Sequence, residues 1–225
     1  MGQAVGSVLP LAAAVAIFPV PIMAVVLIVA TERGTVKGIA FVLAWIVGLA
    51  AVGAIALALG GAVDASDGGK PATWISVLLL CLGVLLLCLG AKQWQARPAA
   101  GEETAMPSWM RAMDSFTTAK AAGAGFALTA LNPKNALLTL AAAAEIAEVG
   151  LPAGQQIVVL AGFMLVASAG VLSPVVVSLA LGDRSRDMLA NLRGRLARHN
   201  AVIMTVLFVL IGAKLIGDAV AGLSA

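Results

Sequence analysis

Six apolar stretches, at roughly 5–30, 38–60, 73–91, 121–147, 155–181 and 201–223, take up most of this chain and leave little else to fold. A helix needs about 20 apolar residues to cross the hydrocarbon core at 1.5 Å per residue, and each stretch comes close to or exceeds that. A water-soluble fold is excluded because its surface could not be covered. Only 11% of the residues are charged and 61% are apolar, and mean hydropathy is +1.05, whereas soluble domains carry about 25% charged residues. Six spans of about 21 residues use roughly 126 positions, so no separate soluble domain fits within the 225 residues. The first stretch lacks the basic flank of a signal peptide and runs too long for one, so it reads as a retained span. The expected fold is an all-α polytopic membrane protein with six transmembrane helices.

The net charge of +3 gives no support to nucleic acid as a partner once the basic residues are located. They lie between apolar stretches, where topology needs them. Arg33 and Lys37 fall in the first connection, Lys92, Arg97, Arg111 and Lys120 in the third, and Arg184, Arg186, Arg193, Arg195 and Arg198 in the fifth. The opposite face has Lys70 alone, and its fourth connection is acidic, with Glu145 and Glu148. This bias predicts that connections one, three and five are cytoplasmic and that both termini lie outside. Trp74 and Trp94 bracket the third span about 30 Å apart along a helix, at the spacing of the two interfacial belts. The fifth connection's arginines suit topological anchors, with a lipid-headgroup site as the alternative.

The long polar interruption, 92–120, divides the chain into a first unit, 1–91, and a second, 121–225. Within it Trp109, Met113 and Phe116 share one helical face, which suits a short amphipathic helix on the membrane surface; an unstructured linker is the alternative. Cys81 and Cys88 lie seven apart in one apolar run, about 10 Å along a helix. That is too far for a disulfide, so both read as packing cysteines. His199 is the single histidine and tyrosine is absent, so an imidazole metal cluster is excluded; no metal or other cofactor is expected.

Three spans on either side of the loop invite a search for internal repetition. The first span contains Ile17-Phe18-Pro19-Val20-Pro21 and the fourth Leu131-Asn132-Pro133-Lys134-Asn135, with Pro19 and Pro133 separated by 114 positions. An odd number of spans per unit requires opposite topology, hence two inverted three-helix repeats. A proline in mid-helix removes a donor and clashes with the preceding turn, so the first and fourth helices should be broken near the bilayer centre. Asn132 suits an N-cap and Pro133 the first helical position. Two half-helix N-termini meeting there would favour an anionic or strongly polar group.

Lys134 sharpens the expectation, because a charge within a span is by default a functional candidate. The alternative is that Lys134, Asn132 and Asn135 only satisfy carbonyls freed by the break. Lys214 and Asp218, four apart, suit mutual pairing near the end of the last span. Ser173-Pro174 reads as a kink in which the hydroxyl compensates the lost donor, and Glu145 as an interfacial residue.

Ile17-Phe18-Pro19-Val20-Pro21-Ile22, the segment Trp109 to Phe116 (Trp-Met-Arg-Ala-Met-Asp-Ser-Phe) and Ala130-Leu131-Asn132-Pro133-Lys134-Asn135 together resemble the peptidoglycolipid-addressing (GAP) proteins. That group is also called the sulfolipid-addressing (Sap) family and belongs to the lysine exporter (LysE) superfamily. The resemblance covers essentially the whole chain. It implies a six-span inner-membrane protein of the actinobacterial type, associated with moving envelope glycolipids toward the surface. Related thiol-redox transporters place cysteines beside the midplane prolines, where this chain has Ile17, Phe18, Val20 and Asn132, so electron transfer is not expected. Metal exporters of the superfamily use intramembrane histidines or acidic clusters, and neither is evident here. No midplane carboxylate stands out for proton coupling.

The function expected is therefore outward transport of a polar-headed envelope lipid, not enzymatic catalysis. Export of amino acids or other small amphipathic solutes is the first alternative, and a non-transporting scaffold for lipid export machinery the second. The substrate-binding residues expected are Pro19, Pro21, Asn132, Pro133, Lys134 and Asn135. The partners expected are a membrane lipid or small amphipathic substrate, lipid-synthesis or export machinery, and a second copy of the chain.

Overall fold

Proline decides where two of the apolar stretches stop being continuous helices. In the computed structural model, which describes residues 1–64, 73–95 and 115–224, the first stretch forms α1 (Gly2–Ala16) and α2 (Pro19–Val29), bent by 48°. The second and third are the uninterrupted helices α3 (Gly34–Asp64) and α4 (Thr73–Gln95). The fourth divides into α5 (Thr118–Phe126), a π-helical turn (Ala127–Leu131) and α6 (Pro133–Glu148). The last two are α7 (Ala153–Leu181) and α8 (Ser185–Ser224). Among the described residues there is no strand, so the all-helical expectation holds.

Four of these helices, α3, α4, α7 and α8, are each long and apolar enough to cross a membrane, and the α1–α2 pair makes five if the bent pair is one span. α6, with 16 residues, rises only about 24 Å and could not cross alone. Many outward-facing side chains are large and apolar, among them Leu43, Val47 and Leu59 of α3, Ile157, Leu165 and Leu179 of α7, and Leu210 of α8. So much exposed apolar surface is compatible with hydrocarbon as the solvent and not with water. The interior holds the bulky rings instead: Phe18, Phe41, Trp45, Phe163 and Phe208 are all fully buried.

The fifth connection differs from expectation. It is not a loop but the first half of the 40-residue α8, which rises about 60 Å, twice the hydrocarbon thickness. Gly182, at φ +54°, caps α7 in a conformation that favours glycine. Asp187 then sits in the first turn of α8, where a carboxylate complements the helix dipole. The run that follows is rich in Ala, Leu and Arg and free of proline, so nothing ends the helix before it enters the apolar stretch. Leu189, Leu192 and Leu196 share a face and pack on Ile22 and Val26 of α2, while Arg186, Arg195 and Arg198 point outward.

α4 and α8 form the most extensive helix pair. Their antiparallel seam runs on small residues: Ser76, Gly83 and Gly90 of α4, seven apart, face Gly222, Gly212 and Thr205 of α8. A Cβ on Gly83 would lie 2.9 Å from the Gly212 carbonyl oxygen, and one on Gly212 would lie 2.9 Å from the Gly83 oxygen. Small residues of this kind let helix backbones approach where lipid provides no hydrophobic drive. Cys81 and Cys88 occupy the other side of α4 as free, exposed thiols. They are therefore not packing cysteines, because glycine, not cysteine, takes the seam. The surface helix expected around Trp109 and Met113 lies outside the described residues; Phe116, its last member, is half-buried against the core.

Candidate functional site

The two breaks have the same backbone geometry. A residue before proline is pushed out of the α region by the ring, and Phe18 sits at φ −57°, ψ 115° while Asn132 sits at φ −80°, ψ 114°. Pro19 and Pro133 each follow at the first helical position, where the missing N–H costs nothing. The residues just before, Ile17 and Leu131, are both exposed. Offset by 114 positions, the two segments thus match at the pre-proline residue and at the proline that starts the next helix, although an α-helix precedes the first break and a π-helical turn the second.

Their chemistry differs. At the first break Phe18 has no capping side chain, and Pro19 and Pro21, both buried, remove two of the four amides that a helix N-terminus normally presents. Only Val20 and Ile22 keep theirs, so this end is largely apolar. At the second, Asn132 Oδ1 accepts the Lys134 backbone N–H at 3.1 Å, a true N-cap. Asn135 is fully buried, and its Nδ2 donates to the Leu128 carbonyl oxygen at 2.6 Å. That carbonyl belongs to the π-helical turn, whose ladder ends at the break. Thr129 donates back to the Gly125 and Phe126 carbonyls, both at 3.0 Å.

Asn132 therefore caps an amide of the new helix, and Asn135 satisfies a carbonyl beside the break, as the alternative reading of the sequence held for it. Lys134 does not. Its Nζ donates to Gln93 Oε1 at 3.2 Å and lies 5.6 Å from the Phe208 ring centroid, within cation–π range. Gln93 is in the last turn of α4, beside Trp94. The ammonium is thus drawn toward the Lys92 end of α4 and does not sit at the middle of the bundle, because a long side chain can carry its charge away from its own Cα. No carboxylate pairs with it among the described residues.

Phe208 joins the two breaks. Phe18 packs on it with ring centroids 6.2 Å apart at 60°, and Lys134 lies over the same ring. The arrangement offers a cation with no carboxylate partner among the described residues and a helix N-terminus on one side and an apolar wall on the other. Such a site is suited to an anionic group attached to an apolar body. Pro133 is exposed and contributes shape only, like Pro19 and Pro21.

A second polar cluster was not anticipated as such. Lys214 of α8 pairs with Asp218 at 2.6 Å, as its spacing predicted, but also with Glu145 of α6 at 2.7 Å. Glu145 is only 4% exposed, so it is a buried inter-helix partner and not an interfacial residue. One acid in the fourth apolar stretch and one base in the last were the available signal. Away from both clusters, a groove of about 650 Å³ runs between α3 and α7, lined by Ala50, Ala54, Leu57, Ile157, Leu160 and Met164. Its polar lining residue Gln156 donates its Nε2 to the Leu151 carbonyl, which leaves an apolar cleft of the kind an acyl chain fills.

A family model described as Sap, sulfolipid-1-addressing protein, matches residues 8–221. No curated protein and no solved structure matches the chain.

Proposed function

Since the chain belongs to the sulfolipid-1-addressing protein family, we propose that it exports an anionic, polar-headed envelope lipid across the plasma membrane. It does so as a transporter and not as an enzyme, through six spans arranged as two inverted three-helix repeats with broken first and fourth helices. Both termini face outward, in keeping with the basic residues of the odd-numbered connections. The repeat is supported by the matched breaks and by reciprocal packing: α5 lies on α3 as α1 lies on α7, and α6 touches α4 as α2 touches α8.

Lys134 is the observation that carries this reading. A cation held inside a span with no carboxylate partner among the described residues is costly and is retained where a ligand supplies the missing charge. A sulfolipid presents such an anion on an apolar body, and the apolar α3–α7 groove offers its chains a lateral path. A zwitterionic amino acid fits less well, since its ammonium would need a carboxylate beside Lys134, and Glu145 and Asp218 pair instead with Lys214.

The test is movement of a sulfated glycolipid with a fluorescent tail in proteoliposomes, read by an impermeant quencher. The sulfated lipid should cross at least about tenfold faster than in protein-free vesicles, a difference of roughly 1.4 kcal/mol in barrier. A neutral analogue should show no such gain. Equal movement of both lipids would overturn the anionic assignment, and movement of neither would overturn lipid export.

A further inference from the structure

We propose that Glu145, Lys214 and Asp218 form a proton-binding site that couples export to the proton gradient. This rests on the transport reading above and adds its energy source. The geometry carries it. Lys214 bridges Glu145 of α6 at 2.7 Å and Asp218 of α8 at 2.6 Å. Glu145 is 4% exposed, whereas Asp218 is 38% exposed. The cluster thus has one carboxylate open to the surroundings and one enclosed, with an ammonium between them.

Among the described residues its charges do not balance. Two carboxylates share one ammonium, and a third, Glu148, lies one turn along α6 from Glu145. A Cβ on Gly222 of α8 would be 2.7 Å from Glu148 Oε1 and in contact with the Ser76 hydroxyl of α4. Among the described residues the other helices packed on α6 add no side-chain cation near this end. α1, which starts just after the Met1 ammonium, and α7 carry no charged side chain, α4 carries only Lys92 at its opposite end, and α3 carries Lys37 in its first turn. Excess negative charge enclosed by apolar helices is relieved by taking up a proton.

The site is placed to act on the breaks. α6 begins at Asn132–Pro133 and reaches α8 at two points, Lys134 on Phe208 and Glu145 on Lys214. A proton entering by way of Asp218 and resting on Glu145 converts a carboxylate into a neutral acid and removes the ionic part of the second tie. The hold of α6 on α8 at this end is then weakened, and the contact at the break, beside the cation that faces the cargo, carries more of it. Loss of the proton restores the tie. A link that switches with a bound proton, on the half-helix that begins at the binding site, is a coupling element in the sense that it has two states which two ligands bias. Transporters commonly use intramembrane ionisable groups as proton relays.

Two measurements test this. The first is infrared titration of the purified protein, following the carboxylic-acid carbonyl band; wild type should show a protonated carboxyl that disappears in Glu145→Gln. The second is transport of the sulfated fluorescent lipid in proteoliposomes, with and without a pH difference of one unit, acidic on the side of the termini. That difference is about tenfold in proton activity, and wild-type transport should quicken several-fold, up to about tenfold. Glu145→Gln should show no response to the gradient, and Glu145→Asp, which keeps a carboxylate, should retain it. Wild-type transport indifferent to the gradient, or a Glu145→Gln protein that still responds, would overturn the proposal. If wild type moves no lipid, the transport reading fails and the infrared result alone decides proton binding: an unchanged band in Glu145→Gln refutes it. Because the wild-type responses need no variant, poor folding of Glu145→Gln leaves the proposal open to refutation.

Discussion

Replacing Lys134 with methionine separates a binding lysine from a structural one. Two interactions are lost to the fold. The hydrogen bond to Gln93 at 3.2 Å is worth about 1 kcal/mol net, and the contact with Phe208 about 0.5–2 kcal/mol. Against these, a lysine at the centre of a span costs about 2.5–3.5 kcal/mol to insert; the Lys134 ammonium, drawn toward the Lys92 end of α4, costs less than that, and methionine removes the remainder. The two sides cancel to within a kcal/mol or two, so thermal stability in detergent should change little. Binding should change much more. A charge-assisted hydrogen bond to a sulfate is worth about 1.5–3 kcal/mol, so Lys134→Met should weaken the sulfated lipid roughly 10- to 150-fold. A neutral analogue should be unaffected. Lys134→Arg keeps the charge and offers a fork suited to sulfate, and should bind within about threefold of wild type. Fluorescence anisotropy of the tail-labelled lipid on purified protein measures all three, with melting temperature as the check on folding. A folded Lys134→Met protein that binds the sulfated lipid as tightly as wild type would refute the argument.

At alkaline pH, where Glu145 is charged, Lys214→Met strands its buried carboxylate and should cost about 3–5 kcal/mol, while Lys214→Met with Glu145→Leu should recover most of that loss; denaturant-induced unfolding of both variants in alkaline detergent solution checks it. Asp218→Asn removes only the half-exposed i,i+4 pair and should cost no more than about 0.5 kcal/mol. At the α4–α8 seam, Gly83→Leu would force the backbones apart at a position where even a Cβ lies 2.9 Å from the Gly212 oxygen. It should destabilise by at least about 1–3 kcal/mol, read as a fall in melting temperature, whereas Cys81→Leu on the exposed side of α4 should be close to neutral.

Amino-acid order alone determined the local events. The apolar runs dictate helices whatever they pack against, since in hydrocarbon a backbone must satisfy its own hydrogen bonds. The rings of Pro19 and Pro133 bias Phe18 and Asn132 out of the helix, so both breaks, the Asn132 cap and the position of Pro133 could be expected before any packing was known, although α1 runs through Pro10 and α7 through Pro174 unbroken. So was the Lys214–Asp218 pair, which one helix turn brings together. What only the tertiary structure decided are the meetings between helices distant in sequence. Glu145 and Lys214 are 69 positions apart and Lys134 and Gln93 are 41 apart, and no periodicity within one helix states which face a neighbour will cover. Whether a charge within a span is exposed, paired or alone is a property of those faces. For that reason the sequence could nominate Lys134 but not place its ammonium beside Gln93, and it left Glu145 at the interface when the packing of α6 near α8 buries it. The seven-residue spacing of Ser76, Gly83 and Gly90 was equally visible in the chain, yet it acquires meaning only once Gly212 and Gly222 of α8 stand opposite, because a small residue marks a close approach only when there is a second backbone to approach.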